Sequence, residues 1–134
     1  MLMNSSVAAA TMGSIVGNLN SALGAGAVLQ AWDGTPPASI STGDAGSMIV
    51  ECPCSNPVFA AVSGGVSSAN TITDDSDTAA GTVTYWRMKD SGGVVVLQWT
   101  EGVDFITDDP NFALHDTCHI VSVDLTLTVT PPDS

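Results

Sequence analysis

The stretch that most constrains this chain lies near its end, where Val121, Val123, Leu125, Leu127 and Val129 alternate with Ser122, Asp124, Thr126, Thr128 and Thr130. Only a two-residue period sends those two sets to opposite faces, so the segment predicts a long, half-buried β-strand. A helix would scatter the apolar side chains around its circumference. A strand lines them up on one face, which another sheet or a helix must then cover.

At 134 residues the chain is long enough to bury that face within one domain, without relying on disulfides or a metal. Two basic residues against fourteen acidic ones give a formal net charge of -12. Such a balance repels phosphate backbones and anionic membrane surfaces, so neither nucleic acid nor a membrane is expected as a partner. The acidity reflects a scarcity of cations, since Arg87 and Lys89 are the only two. With 44% hydrophobic residues, enough apolar surface exists to offset the entropy of ordering, which separates this chain from a disordered acidic tail. Three cysteines, Cys52, Cys54 and Cys118, do not make a secreted disulfide framework and fit assembly in a reducing cytoplasm. The N-terminus lacks a basic n-region and its apolar residues are diluted by Gly, Ser and Asn, so it reads as neither a signal peptide nor a membrane span.

Residues 1–32 carry no charged side chain, which predicts burial against the domain or against a neighbouring subunit. Within them Met12, Ile15, Val16, Leu19, Ala22 and Leu23 recur at helical spacing, with Ser5 or Ser6 as N-cap and Gly24 and Gly26 as the stop. Gly13 and Gly17 each cost such a helix roughly 1 kcal/mol relative to Ala, implying close approach of another backbone or a poorly formed helix. Strands are predicted at Val28–Trp32, 48–52, 59–62, 66–73, 82–89, 94–99 and 104–107. Residues 108–117 read as a loop or short helix. Pro53 and Pro57 put the second strand at an edge or corner. Asp90-Ser91-Gly92-Gly93 forms the turn of a hairpin. Short strands after a single helix imply a mainly β chain: an antiparallel β-sandwich, jelly-roll or Ig-like, over residues 27–134, preceded by an N-terminal helix and contact segment over residues 1–26.

Several residues could carry chemistry. Cys52, Cys54, His115, Cys118 and His119 are suitable ligands for zinc, although their spacing departs from paired zinc motifs and a buried thiol is the commoner fate of cysteine. Asp74, Asp75 and Asp77 could hold calcium, but the stretch lacks the glycine and distal glutamate of a calcium loop and reads as a solvated turn. With two histidines and no nucleophile elbow, phosphate loop or zinc-protease helix, no enzymatic activity and no cofactor are expected. Trp32, Trp86 and Trp99 could form a carbohydrate platform if exposed together, against a default of core packing. Arg87 and Lys89 are in phase on a strand and should pair with local carboxylates or make an intersubunit contact.

Residues 56–93, running from Asn56-Pro57-Val58-Phe59 through Gly64-Gly65 and Thr82-Val83-Thr84-Tyr85-Trp86 to Gly92-Gly93, resemble a family of small virion proteins of tailed bacteriophages. The N-terminal helix, the Gly-terminated approach to Val28–Trp32, Gly34, Pro37-Ala38 and the Ser/Thr-rich last strand extend that resemblance over most of the chain. The Cys-Pro-Cys segment and residues 101–119 depart from it. The resemblance implies a capsid decoration, or cement, protein. Such a protein would be assembled in the host cytoplasm, sit on the virion surface, associate with itself as a trimer and bind the major capsid protein. The contact residues expected on this reading are Met12, Ile15, Val16, Leu19, Leu23, Arg87 and Lys89. A binding module that recognises host glycan through exposed tryptophans is the alternative from a different class.

Overall fold

The computed structural model describes residues 5–63, 66–103 and 109–126, with helix side chains from Met12 onward. The helix α1 spans Ser5–Leu23. Met12, Val16 and Leu23 form its buried stripe and Leu19 lies half-buried beside them, whereas Ile15 and Ala22, also expected on that stripe, are exposed at its margin. Gly24 then takes φ 60°, and its N–H closes the last turn on the carbonyl of Asn20 at 2.9 Å.

Among the described residues eight strands follow: β1 Val28–Trp32, β2 Met48–Pro53, β3 Val66–Ser68, β4 Gly81–Thr82, β5 Tyr85–Lys89, β6 Val95–Thr100, β7 Asn111–Phe112 and β8 Asp124–Thr126. The described residues are thus mainly strand with one helix, and every pairing among them is antiparallel. Among the described residues the strands make one four-stranded sheet, in the order β2-β1-β5-β6, and two separate two-stranded pairs, β3 with β8 and β4 with β7. Pro53 sits on the edge strand β2, where its missing N–H leaves no ladder bond unmade on the outer side.

Register gives the central sheet two different faces. Cys52, Leu29, Met88 and Leu97 align in one row across it, and Val50, Ala31, Trp86 and Trp99 in another. These rows share a face and enter the core together with Met12, Val16 and Leu23 of α1. Between them, on the opposite face, runs a polar row of Glu51, Gln30, Arg87 and Gln98. The β5–β6 hairpin is set by Asp90, whose Oδ1 accepts the N–H groups of Gly92 and Val94, each at 2.9 Å. Gly93 completes the turn at φ 84°, a conformation that favours glycine.

The helix is also pinned by a directed contact. Asn20 falls on the apolar stripe, donates from Nδ2 to the Phe59 carbonyl at 3.0 Å and accepts the Phe59 N–H on Oδ1 at 2.9 Å. A side-chain amide thereby occupies the place of a neighbouring strand on one side of Phe59, whose other side makes an isolated bridge to Ala69; residues 59–62 form no regular strand. The predicted 82–89 strand likewise splits. Val83 donates to Pro110 while Thr84 donates to Trp32, so the chain changes partner between β4 and β5.

Within the described residues the last strand begins later than its alternation implies. Cys118 bridges Asp75, and Val123 accepts the N–H of Ala69, so residues 120–122 cross between two partners without a ladder of their own. Val121 is consequently 88% exposed although its alternate, Val123, is buried. Regular pairing resumes at Asp124–Thr126 against β3, and residues 127–130 lie outside the described residues, as does the strand expected at 104–107. Within the segment read as a loop or short helix, Asn111–Phe112 is instead a strand.

Candidate functional site

The polar face of the central sheet is covered by the loop between β1 and β2. Its neck is closed by Asp33, whose N–H reaches the Ser47 carbonyl at 3.2 Å and whose Oδ1 accepts the Ser47 N–H at 2.6 Å. Gly34 and Gly46 meet inside that neck so closely that a Cβ on Gly34 would lie 2.3 Å from the Ala45 carbonyl carbon, and one on Gly46 2.3 Å from the Gly34 nitrogen. No larger residue fits at either position without separating the two chain segments.

Three side chains of β5 hold the loop down. The Tyr85 hydroxyl accepts the Ala45 N–H at 2.7 Å and donates to the Ala45 carbonyl at 2.8 Å; its burial pushes the phenol above its ordinary range. Arg87 is 1% exposed and donates from Nη1 to Asp44 Oδ1 at 2.9 Å, from Nε to Gln98 Oε1 at 2.9 Å and from Nη2 to the Ser39 carbonyl at 3.3 Å. Lys89 donates to the other oxygen of Asp44 at 2.6 Å, and its ammonium lies 5.2 Å from the centroid of the Trp32 ring. Gln98 reaches the Pro37 carbonyl at 2.8 Å, and Gln30 reaches Glu51 at 2.7 Å.

Both cations of the chain therefore converge on one carboxylate. A buried guanidinium persists only when paired and hydrogen-bonded, and here the pairing is complete. Chemically this is a fastening, with neither cation left to bind an anion or to polarise a substrate. The expected local carboxylate partner is real, but Arg87 and Lys89 lie beneath the loop and present no cation at the surface for an intersubunit contact.

A second cluster forms where residues 74–77 run beside residues 115–119. Asp75 pairs with Cys118 through backbone bonds of 3.1 and 2.7 Å, and its carboxylate accepts the Glu51 N–H at 2.9 Å, which ties this seam to β2. The neighbouring Cys118 thiol, together with burial, pushes Cys52 above the ordinary thiol range, and Cys52 in turn lowers Cys118. Cys54 points elsewhere: its sulfur lies 3.9 Å from the Cys52 carbonyl, and burial pushes its thiol up to about 11. At the surface His115 Nδ1 meets Asp77 Oδ1, and His119 Nδ1 meets Asp74 Oδ1 at 2.6 Å. The five candidate zinc ligands are thus not gathered at one point: His115 and His119 face different aspartates, and Cys54 faces a backbone carbonyl. No group of three or more His, Cys, Asp or Glu side chains suited to a metal occurs among the described residues.

The remaining candidates separate by burial. Of the helix contact residues, Met12, Val16 and Leu23 lie in the domain's own core and Leu19 is half-buried against it, which leaves Ile15 outside at 41% exposure. Ile15 shares the outer side of α1 with exposed Gly13, Ser14, Gly17, Asn18 and Ser21, a face without a charge. A Cβ on Gly13 or Gly17 would meet nothing within 4 Å, so these glycines admit no close neighbour within the chain. Trp86 is wholly buried, with its indole N–H on Glu101 at 2.8 Å, and Trp32 and Trp99 are half-buried, so the three do not share an exposed platform.

Asp44 and Asn20 escaped sequence reasoning. Nothing local marks Asp44 among its Ser, Thr and Gly neighbours. Asn20 had a usable signal, since it follows Met12 and Val16 at four-residue steps on an otherwise apolar stripe.

No protein-family model, curated protein or solved structure matches this chain. Among the described residues no helix is long and apolar enough to cross a membrane.

Proposed function

We propose that this chain is a structural protein of a tailed-phage virion, a non-enzymatic decoration protein that binds the major capsid protein of the assembled head and stabilises the shell. The observation that carries the reading is the outer side of α1, where Gly13, Ser14, Ile15, Gly17, Asn18 and Ser21 offer an uncharged, small-residue surface on a protein of net charge -12. Desolvating such a surface strips water from no ion, so docking there avoids the cost of burying charge. Small residues also let a flat partner approach the helix backbone closely. The paired cations beneath the Asp44 loop are already engaged, which leaves the acidic remainder of the surface to face solvent.

A decoration protein adds stability by mass action, binding the closed shell more tightly than its dissociated subunits. Self-association as a trimer around a symmetry axis would multiply each weak contact. On this reading the central sheet is one layer of a jelly-roll or Ig-like sandwich, and the β3–β8 and β4–β7 pairs belong to the other. The test is cosedimentation of the purified chain with assembled shells and, separately, with dissociated capsid subunits. Retention on shells but not on subunits is expected. Equal retention on both, or absence of the chain from mature particles, overturns the reading.

A further inference from the structure

The seam between residues 69–75 and 118–123 is closed at both ends and open in the middle. At one end Ala69 donates to the Val123 carbonyl at 2.8 Å, and at the other Asp75 and Cys118 exchange backbone bonds of 3.1 and 2.7 Å. Between them the first segment turns its backbone away. Asn70 donates to the Val58 carbonyl and Thr73 to the Pro53 carbonyl, each at 2.8 Å, and Ile72 bridges Cys54. Residues 119–122 are left without a ladder partner among the described residues, and a cleft of about 290 Å³ lies between the two segments. That volume is at the small end for ligand sites, sized for one side chain or a short amine.

The residues around the cleft narrow the ligand. Ile72 and Ile120 give it an apolar lining suited to an alkyl chain, while Asn70, Thr71, His119 and Ser122 line it with polar groups. Asn70 donates from Nδ2 to the Pro57 carbonyl at 3.0 Å, which leaves its side-chain oxygen as an acceptor. His119 Nδ1 meets Asp74 Oδ1 at 2.6 Å; a carboxylate only accepts, so the proton sits on Nδ1, and Nε2 of the neutral ring carries a lone pair. Thr71 and Ser122 add hydroxyls that accept as readily as they donate. Arg87 and Lys89 are both fastened to Asp44, so no Lys or Arg lines this cleft, and Asp74 stands behind His119 on a protein of net charge -12. An anion is therefore repelled and a cation attracted.

The geometry points to a binding site for a primary alkylammonium ion, its alkyl chain against Ile72 and Ile120 and its N–H groups toward the acceptors of Asn70, His119, Thr71 and Ser122. An ammonium has three donors and no acceptor, which matches such a lining. Two sources supply that chemistry: a lysine side chain of a partner protein and a free diamine. The site is a property of the isolated chain and does not rest on the proposed role in a virion.

The experiment records amide NMR spectra of the full-length protein during titration with n-butylammonium, n-butanol and butyrate at constant ionic strength. Saturable shifts confined to residues 69–72 and 119–123 are expected with n-butylammonium, weaker ones with n-butanol and none with butyrate. Ser122→Arg places a fixed cation at an exposed position of the lining and should abolish the response, and Asp74→Asn, also exposed, should weaken it. If either variant fails to fold, the comparison of the ligands on wild type still decides. Acetyl-lysine methylamide and diaminobutane then separate the sources: stronger binding of the first assigns the site to a partner's lysine, and stronger binding of the second to a free diamine. Equal responses to n-butanol and n-butylammonium, a stronger response to butyrate, shifts spread over the acidic surface, or an undiminished response in Ser122→Arg overturns the proposal.

Discussion

The polar face of the central sheet and the outer side of α1 are opposites in how they treat polar groups. On the sheet, Arg87 and Lys89 are drawn inward, fixed to Asp44 and roofed by residues 34–46. On the helix, no charge is present and the exposed residues, Ile15 aside, are small or uncharged polar ones. One surface has satisfied its charges within the chain, so its interactions belong to folding. The other has satisfied nothing and repels nothing, so it is free to be covered. Changes on the two surfaces should therefore separate cleanly, the first acting on stability and the second on association.

The largest effect is expected at Asp44. Its replacement by alanine leaves two buried cations with no carboxylate, a class of change that costs about 3–5 kcal/mol. Urea denaturation should register that loss, while shell binding by the folded fraction stays unchanged. Loss of binding without loss of stability would merge the two surfaces that we distinguish. Next in size is Asn20→Ala, which orphans the N–H and C=O of Phe59 and should lower stability by about 1–3 kcal/mol. Hydrogen exchange of the Phe59 amide should rise in that variant, and an unchanged rate would mean that the helix is held by burial alone.

A smaller effect concerns alkaline pH. The unfolded chain loses the Cys54 proton near 9.0, whereas burial delays that loss to about 11 in the fold. A raised thiol pKa contributes stability that is complete below 9.0 and lost as pH climbs to about 11. Urea midpoints of wild type should accordingly fall more between about pH 8 and about pH 10.5 than those of Cys54→Ser. Equal slopes would show that Cys54 stays accessible to water. Smallest of all on stability is Ile15→Asp, on the open helix face, where a change within about 0.5 kcal/mol is expected.

The sequence showed the two surfaces unevenly. The β-branched and aromatic content of the β5–β6 segments with the Asp90–Gly93 turn between them, and the Asp33-Gly34 stop after Val28–Trp32, identified strands because these segments carry paired partners and end at tight turns. Helical spacing identified the inward stripe of α1, yet it could not say whether that stripe meets the chain's own sheet or another subunit. Met12, Val16 and Leu23 prove to meet the former. The clamp on Arg87 was illegible because Asp44 lies 43 residues away in sequence, and no local period encodes a contact across a loop. The terminal stretch misled for a related reason. Alternation reports which side chains could share a face, whereas the length of a strand depends on how long its partner stays alongside, and residues 120–122 change partners.

The measurement that bears most directly on the central claim is the shell affinity of Gly17→Glu beside its thermal midpoint. A Cβ at residue 17 meets nothing within the chain, so the substitution adds a carboxylate to the open face without disturbing the core. The account predicts a midpoint within a few degrees of wild type and at least a tenfold loss of binding to assembled shells, the equivalent of about 1.4 kcal/mol. Undiminished binding by a stably folded Gly17→Glu protein would contradict it.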